Sequence, residues 1–375
     1  MKDTKQICRT EKFYMLLRLA LGQTQDFSVE LSDDDWMWMY DEAERQTLVG
    51  ILYNGVKLLP EDKKPPFDVL MQWAYDADNI RRLNEKLNSE AARLTRLFAE
   101  QGCKTAILKG QANARLYPDK FCRQPGDIDI WVEGGLEKVS NLLLKMGLVE
   151  EAEAHVHHIE GVGNGGIPVE YHFLPSAGNR KPIASKRMLR WLEEEVLNAQ
   201  MTELGFRVPT LRFELVAQLS HLLKHFVGSG VGLRHVCDYY ILLQKSTVED
   251  RELVSSLLSR FGLCNIADAL MWLLSEKFCI EKDIMLCKPD EYRGRWLERK
   301  ILEEGNFGCY AEKKEYGKWR QIFYEDRLKR LKLMCFDFWG PFKAEMDFWQ
   351  FIFLSIPDRI RYRTLSLSSV KGKNS

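Results

Sequence analysis

Within the run DIDIWV at residues 127–132, Asp127 and Asp129 stand two positions apart. In an extended strand that spacing sends both carboxylates to one face, with Cα atoms about 6–7 Å apart. Ile128, Ile130 and Val132 then form the opposite, apolar face. Two such carboxylates repel unless a positive charge lies between them. A hard divalent cation, Mg²⁺ or Mn²⁺, suits all-oxygen ligation. A merely solvated sheet edge is the competing reading of so short a motif. Glu170 lies in a later extended run, IPVEYHF, with Val169, Tyr171 and Phe173 on the other face. A third carboxylate beside the pair would complete a site for two metals. Glu160, on another strand-like segment, competes with Glu170 for that place. The cleaner alternation around Glu170 and the stop at Pro175 favour Glu170.

Cations and a glycine precede the aspartates. Lys109-Gly110 follows the apolar segment CKTAIL, residues 103–108, and Arg123 lies in the next loop. A glycine between strand and helix lets backbone approach a phosphate, and the N–H groups opening a helix attract anions. Lys109, Gly110 and Arg123 are therefore candidate polyphosphate contacts.

Several elements must position these groups. The middle of the chain reads as a strand at 103–108, a short helix at 111–117 stopped by Pro118-Asp119, and a strand at 127–132. A helix at 136–146 closed by Gly147 follows, then strands at 154–160 and 167–174 around a glycine-rich turn at 161–166. The first hundred residues are helical in texture. Leu83, Leu87, Ala91, Leu94 and Phe98 line one face of a helix that Gly102 ends, and residues 33–52 follow the cap-like Ser32. Helical texture returns at 180, with a buried helix at 213–226, a break at Gly228-Ser229-Gly230 and another helix at 231–243. The expected fold is α+β: a small mixed sheet at 101–178, helical regions at 1–100 and 179–365, and a disordered tail at 366–375.

Other polar groups read as less informative. Along a continuous strand, His155 and His157 share a face and His158 takes the other, which argues against joint zinc ligation. His172 shares a face with Glu170 and reads as a substrate contact, a tuner of that carboxylate or an ordinary strand histidine. His221 and His225 share a helix face without the glutamate of a zinc protease, and read better as core histidines than as cleft lining. Arg234 and Asp238, four apart, suit a local ion pair. The aromatic segment from Phe336 to Phe353 reads as packing against the helices.

Composition narrows the classes further. Of 375 residues, 45% are hydrophobic and 29% charged, with 54 basic residues balancing 54 acidic ones. That balance is unlike a dedicated nucleic-acid binder, so nucleic acid is not favoured as a partner. The nine cysteines include no CxxC pair, and neither a signal peptide nor a membrane span is apparent, so a reducing cytoplasm is the expected setting.

The run ILKGQANARLYPDKFCRQPGDIDIWV, with VEYH downstream, resembles an uncharacterised bacterial nucleotidyltransferase family of the DNA polymerase beta-like superfamily. The resemblance rests on Lys109-Gly110, Tyr117-Pro118, Arg123 and Gly126-Asp127-Ile128-Asp129. It is tight over residues 103–133, looser to about 174, and includes LRHVCDYY in the C-terminal region. Gln111 departs from the superfamily, which usually places Gly or Ser after the glycine. The resemblance implies metal-dependent transfer of a nucleoside monophosphate from an NTP, such as ATP, to an acceptor, with pyrophosphate released. Asp127, Asp129 and Glu170 would hold the metals, and the acceptor could be a small hydroxyl compound, a sugar or a protein side chain. The alternatives are a non-catalytic nucleotide-binding or scaffolding protein and, disfavoured by the neutral charge, a transferase acting on RNA ends.

Overall fold

A computed structural model describes residues 2–179, 181–227 and 230–305, with scattered positions between 333 and 350. The expected tail, Gly228-Ser229, and Trp339, Phe348, Phe351 and Phe353 of the aromatic segment lie outside the described residues. Of that segment, Phe336 is buried and its ring lies 4.4 Å from that of Phe226, while Phe338 and Trp349 are exposed.

The chain opens with α1 (Lys2–Ala20), α2 (Asp33–Arg45), α3 (Val49–Leu58) and the long α4 (Phe67–Glu100). Ser32 caps α2, accepting the Asp35 N–H, and the Asp35 carboxylate answers at the Ser32 N–H. The single helix expected over 33–52 is two helices. The chain turns at Gln46–Leu48, where Thr47 takes φ +55°. The buried Gln46 amide donates to Glu42 and to the Ile301 carbonyl, and its oxygen accepts the Leu233 N–H. Those distant partners, invisible to local periodicity, fix the bend.

A four-stranded sheet follows: β1 (Thr105–Leu108), β2 (Ile128–Val132), β3 (His158–Val162) and β4 (Pro168–His172), in the order β1-β2-β4-β3. Strands β1 and β2 are antiparallel, β2 and β4 parallel, and β4 and β3 antiparallel, so the sheet is mixed. Between the strands sit α5 (Gly110–Ala114) and α6 (Gly135–Lys145). Strand β3 starts later than expected. Ala154 bridges to Ile159 and the His155 N–H donates to the His158 carbonyl, so residues 155–157 form a turn. Strand β3 then runs past Glu160 to Val162, shortening the glycine-rich turn.

The C-terminal part comprises α7 (Pro182–Glu195), a small hairpin of β5 (Gln200–Met201) and β6 (Arg207–Val208), then α8 (Leu211–Val227), α9 (Leu233–Lys245), α10 (Val248–Leu257), α11 (Cys264–Phe278) and α12 (Glu291–Glu304). The fold is α+β, a small mixed sheet flanked by helices. One sheet face, with Ile107, Ile128, Ile130, Val169 and Tyr171, packs on Leu87, Leu94 and Phe98 of α4 and Leu143 of α6. On the other face, Ala106, Leu108 and Trp131 join a helical core containing residues of α1, α3, α8, α9 and α11. Because β2 is buried on both faces, its polar side chains are either partnered or part of a cleft.

Candidate active site

The polar groups of the second sheet face open into a cleft of about 840 Å³ between the sheet and the starts and faces of α8 and α9. Asp129 lies opposite Glu170 across the parallel β2–β4 pair, and Asp127 sits just before β2 at the same opening. All three carboxylates line the cleft, as do Lys109, Gly110 and Arg123. Glu160 pairs with Glu170 across β3–β4, but its side chain is 69% exposed against 26% for Glu170 and is absent from the cleft lining.

Asp129 is the most heavily partnered of the three. Its Oδ1 takes Lys109 Nζ at 3.0 Å and His172 Nε2 at 2.8 Å. Glu170 Oε2 lies 3.1 Å from the same His172 nitrogen. With two carboxylates facing Nε2, that nitrogen carries the proton and donates to both. Burial alone would raise Asp129, but Lys109 and His172 hold it well below the usual carboxylate value. Asp127 has no such partner: burial, then the charges of Asp129 and Glu170, push it up from 3.8 to about 6.

Lys109 bears backbone strain. Its φ of +48° with ψ of −120° is unusual for a residue with a Cβ, and such conformations cost about 1–3 kcal/mol. The buried Glu214 of α8 accepts the Lys109 N–H at 3.4 Å, and the ammonium is anchored on Asp129. Gly110 is less constrained than expected, since an added Cβ would meet only the Asp127 carbonyl, at an ordinary 3.7 Å. The departure at Gln111 has a structural cause. Its buried amide donates to Asn88 at 2.7 Å and Asn84 at 3.3 Å, and Asn84 in turn donates to the carbonyls of Phe121 and Arg123. Gln111 thus ties the phosphate-loop candidate and the Arg123 loop to α4 instead of facing the cleft.

Arg123 reaches the cleft with its charge already matched. A two-pronged bridge joins it to Asp238 of α9, Nε to Oδ1 at 2.8 Å and Nη2 to Oδ2 at 2.7 Å, and Tyr117 donates to the same carboxylate at 2.8 Å. The expected partner of Asp238, Arg234, instead donates to the Gln124 carbonyl at 2.8 Å. Pairing across loop and helix replaces the local pair: the Arg123 fork takes both Asp238 oxygens, and Arg234 is held by the Gln124 carbonyl.

The helical wall of the cleft takes the less favoured reading of His221 and His225, as cleft lining. His221, Lys224 and His225 of α8 and Arg234 and His235 of α9 line it. The rings of His221 and His225 lie 4.2 Å apart, with His235 within 5.8 Å of both. Burial pushes all three down, His225 to about 4 and His235 to about 3, so they are neutral imidazoles at physiological pH. The four-residue spacing of His221 and His225 was the available signal, but only the tertiary fold sets that face against the carboxylates. The turn at 155–157 has a similar effect. It brings His157 and His158 onto the sheet face of His172, with ring centroids 4.9 and 5.4 Å from that ring, where strand alternation had separated them.

Residues 32–278 match the sequence model of a family described as uncharacterised nucleotidyltransferase. Curated proteins include no match. Among solved structures, the chain is similar to an antigenic nucleotidyltransferase-like protein from Paracoccidioides brasiliensis, at 11% identity and a TM-score of 0.35, covering 56% of this chain and 96% of that one. Among the described residues no helix is long and apolar enough to cross a membrane.

Proposed function

From the premise that the chain belongs to the uncharacterised nucleotidyltransferase family, we propose that it transfers a nucleoside monophosphate from an NTP to a hydroxyl-bearing acceptor. The observation that carries this reading is Asp129 facing Glu170 across adjacent parallel strands, with Asp127 at the same opening. The donor set fits a divalent cation on the evidence of Asp127, whose rise to about 6 reflects burial beside two further carboxylates without a matching charge. Three carboxylates suit Mg²⁺ or Mn²⁺, which, when bound, would neutralise the triphosphate and the developing charge on the leaving pyrophosphate.

This chain's residues supply positioning. Lys109 and Gly110 flank one side of the cleft, and Lys224 and Arg234 add positive charge from the opposite wall. Arg123 acts with less force because Asp238 offsets its charge. The acceptor oxygen attacks the α-phosphorus as the bond to pyrophosphate breaks, and its proton passes to Glu170. His172 fixes Glu170 and Asp129 relative to one another through a shared N–H. Fixed dipoles and charges of this kind lower barriers because they need no reorganisation during the reaction.

Incubation with α-labelled NTPs and Mg²⁺ or Mn²⁺ tests this reading. Pyrophosphate release that Asp127→Asn or Asp129→Asn abolishes is the expected result, and equal release by both variants would remove it. A non-catalytic nucleotide-binding role is the second reading, favoured by Asp129 Oδ1 being already occupied by Lys109 and His172. Nucleotide binding without pyrophosphate release from the NTP, whichever acceptor is supplied, would select it.

A further inference from the structure

Beside the carboxylates lies a group of different chemistry. His157, His158, His172 and Glu170 place one donor atom each within 4.8 Å of the others. Their supports are firm. His158 and His172 are directly paired across β3–β4, and the His157 carbonyl accepts the N–H groups of Phe173 and Leu174 at 3.0 and 3.2 Å. All three imidazoles are buried. Nδ1 of His157, both ring nitrogens of His158 and Nδ1 of His172 are buried without a hydrogen-bond partner in the protein. A buried polar atom left unpaired is destabilising, and native proteins rarely leave several together. Hydrogen bonding inside the cluster does not resolve this, because His158 lies 3.6 Å from Glu170, beyond bonding distance.

The geometry points to a transition-metal site formed by His157, His158, His172 and Glu170, taking a borderline divalent cation of the Zn²⁺, Co²⁺ or Ni²⁺ class. Imidazole nitrogens favour such ions, whereas Mg²⁺ prefers oxygen donors and retained water. A tetrahedral site with bonds of about 2.0–2.1 Å needs donors about 3.3 Å apart. The donors lie within 4.8 Å of one another with no ion between them, so binding draws them together by about 1.5 Å at most. Asp129 then braces His172 from behind, as carboxylates commonly brace metal-bound histidines. Glu170 belongs to both sites, so the metal on the acceptor side of the cleft would be held partly by nitrogen. That catalytic meaning rests on the proposed transfer reaction, while the metal binding itself does not.

The test is Co²⁺ titration of the full-length, chelator-treated protein, read by the visible d–d absorption of nitrogen-ligated cobalt and by equilibrium dialysis. One Co²⁺ per chain with d–d bands is the expected result. His157→Ala and the near-isosteric His158→Gln should each weaken it at least about tenfold, with circular dichroism confirming that both variants fold. His155→Ala and Asp127→Asn should leave it unchanged. No d–d band in the wild-type protein overturns the site. So does retention of full affinity by folded His158→Gln. Loss in His155→Ala with retention in His157→Ala would move the ion to the exposed group of His155, His158 and Glu160, and loss in Asp127→Asn would move it to the aspartates; either overturns the proposal. Cobalt binding without nucleotidyl transfer would sink the transfer reading alone, and Mg²⁺-supported transfer without cobalt binding would sink this inference alone.

Discussion

The two walls of the cleft are built on opposite electrostatic principles. On the sheet wall, charge is kept: Asp129 is held ionised by Lys109 and His172, and burial is outweighed by partners. On the helical wall, charge is shed: His221, His225 and His235 are neutral because burial dominates and the nearest cations oppose protonation. A low-dielectric pocket permits only these two solutions for an ionisable group. The difference assigns the walls different work. The ionised carboxylates of the sheet side suit metal, Lys224 and Arg234 of the helical side suit phosphate, and the neutral rings suit an uncharged base or acceptor.

The sharpest way to break this contrast is Asp129→Asn. It removes the ion-pair partner of half-buried Lys109 along with a proposed metal ligand. Transfer should fall by about a thousandfold or more. Stability should drop by about 3–5 kcal/mol, the scale of a broken buried pair, measured by urea denaturation without metal. Arg123→Met should cost a similar 3–5 kcal/mol by stranding Asp238, with little change in the NTP affinity of the protein that still folds. A large affinity loss with intact stability would make Arg123 a phosphate ligand after all.

Asp127→Asn should act in the opposite sense. Because folding raises this carboxyl from 3.8 to about 6, the ionised form opposes the fold above pH 6, by at most about 3 kcal/mol at roughly 1.4 kcal/mol per pH unit. Screening at the cleft mouth makes that a ceiling. The penalty fades as pH falls from 6 to 4, where the folded state takes up the proton. The metal-free variant should therefore melt above wild type at pH 8 and converge with it near pH 4. Saturating Mg²⁺ should reverse the order at pH 8, by stabilising only the wild type. Within the sheet wall, Glu170→Gln should lower transfer about a hundredfold and spare NTP binding, while Glu160→Gln stays within about twofold of wild type. The smallest effect belongs to the helical wall: Lys224 is exposed and without an ion pair among the described residues, so Lys224→Ala should weaken triphosphate binding by about fivefold, or roughly 1 kcal/mol. Equal weakening of monophosphate binding would show that it does not face the triphosphate.

Much of the sheet wall was legible because strand alternation is a local rule. It placed Asp127 and Asp129 opposite Ile128, Ile130 and Val132, and Glu170 opposite Val169 and Tyr171, without knowledge of strand order, while the meeting of Asp129 with Glu170 came only with the β2–β4 pairing. The same rule misled at His155–His158, where a turn replaces the strand and regroups the histidines. The helical wall was illegible for a different reason. Asp238 is joined to Tyr117 and Arg123 over more than a hundred positions, His221 shares the cleft with the carboxylates, and nothing in the spacing of α8 or α9 encodes which face turns inward. Gln111 could be marked as a departure from its superfamily, but its anchors, Asn84 and Asn88, lie on a helix read only for its apolar stripe.

Helix α4 contributes Trp73 and Ile80 to the helical core and Leu87, Leu94 and Phe98 to the sheet core. At about 1.5 Å per residue, its 34 residues run about 50 Å, long enough to serve both along a single axis. Neither core can melt without fraying a helix that the other is holding together. Thermal denaturation should therefore be concerted, with calorimetric and van't Hoff enthalpies in agreement. A fragment cut at residue 100 would forfeit the buried face beneath the sheet, so the sheet is not expected to survive excision as a free-standing piece.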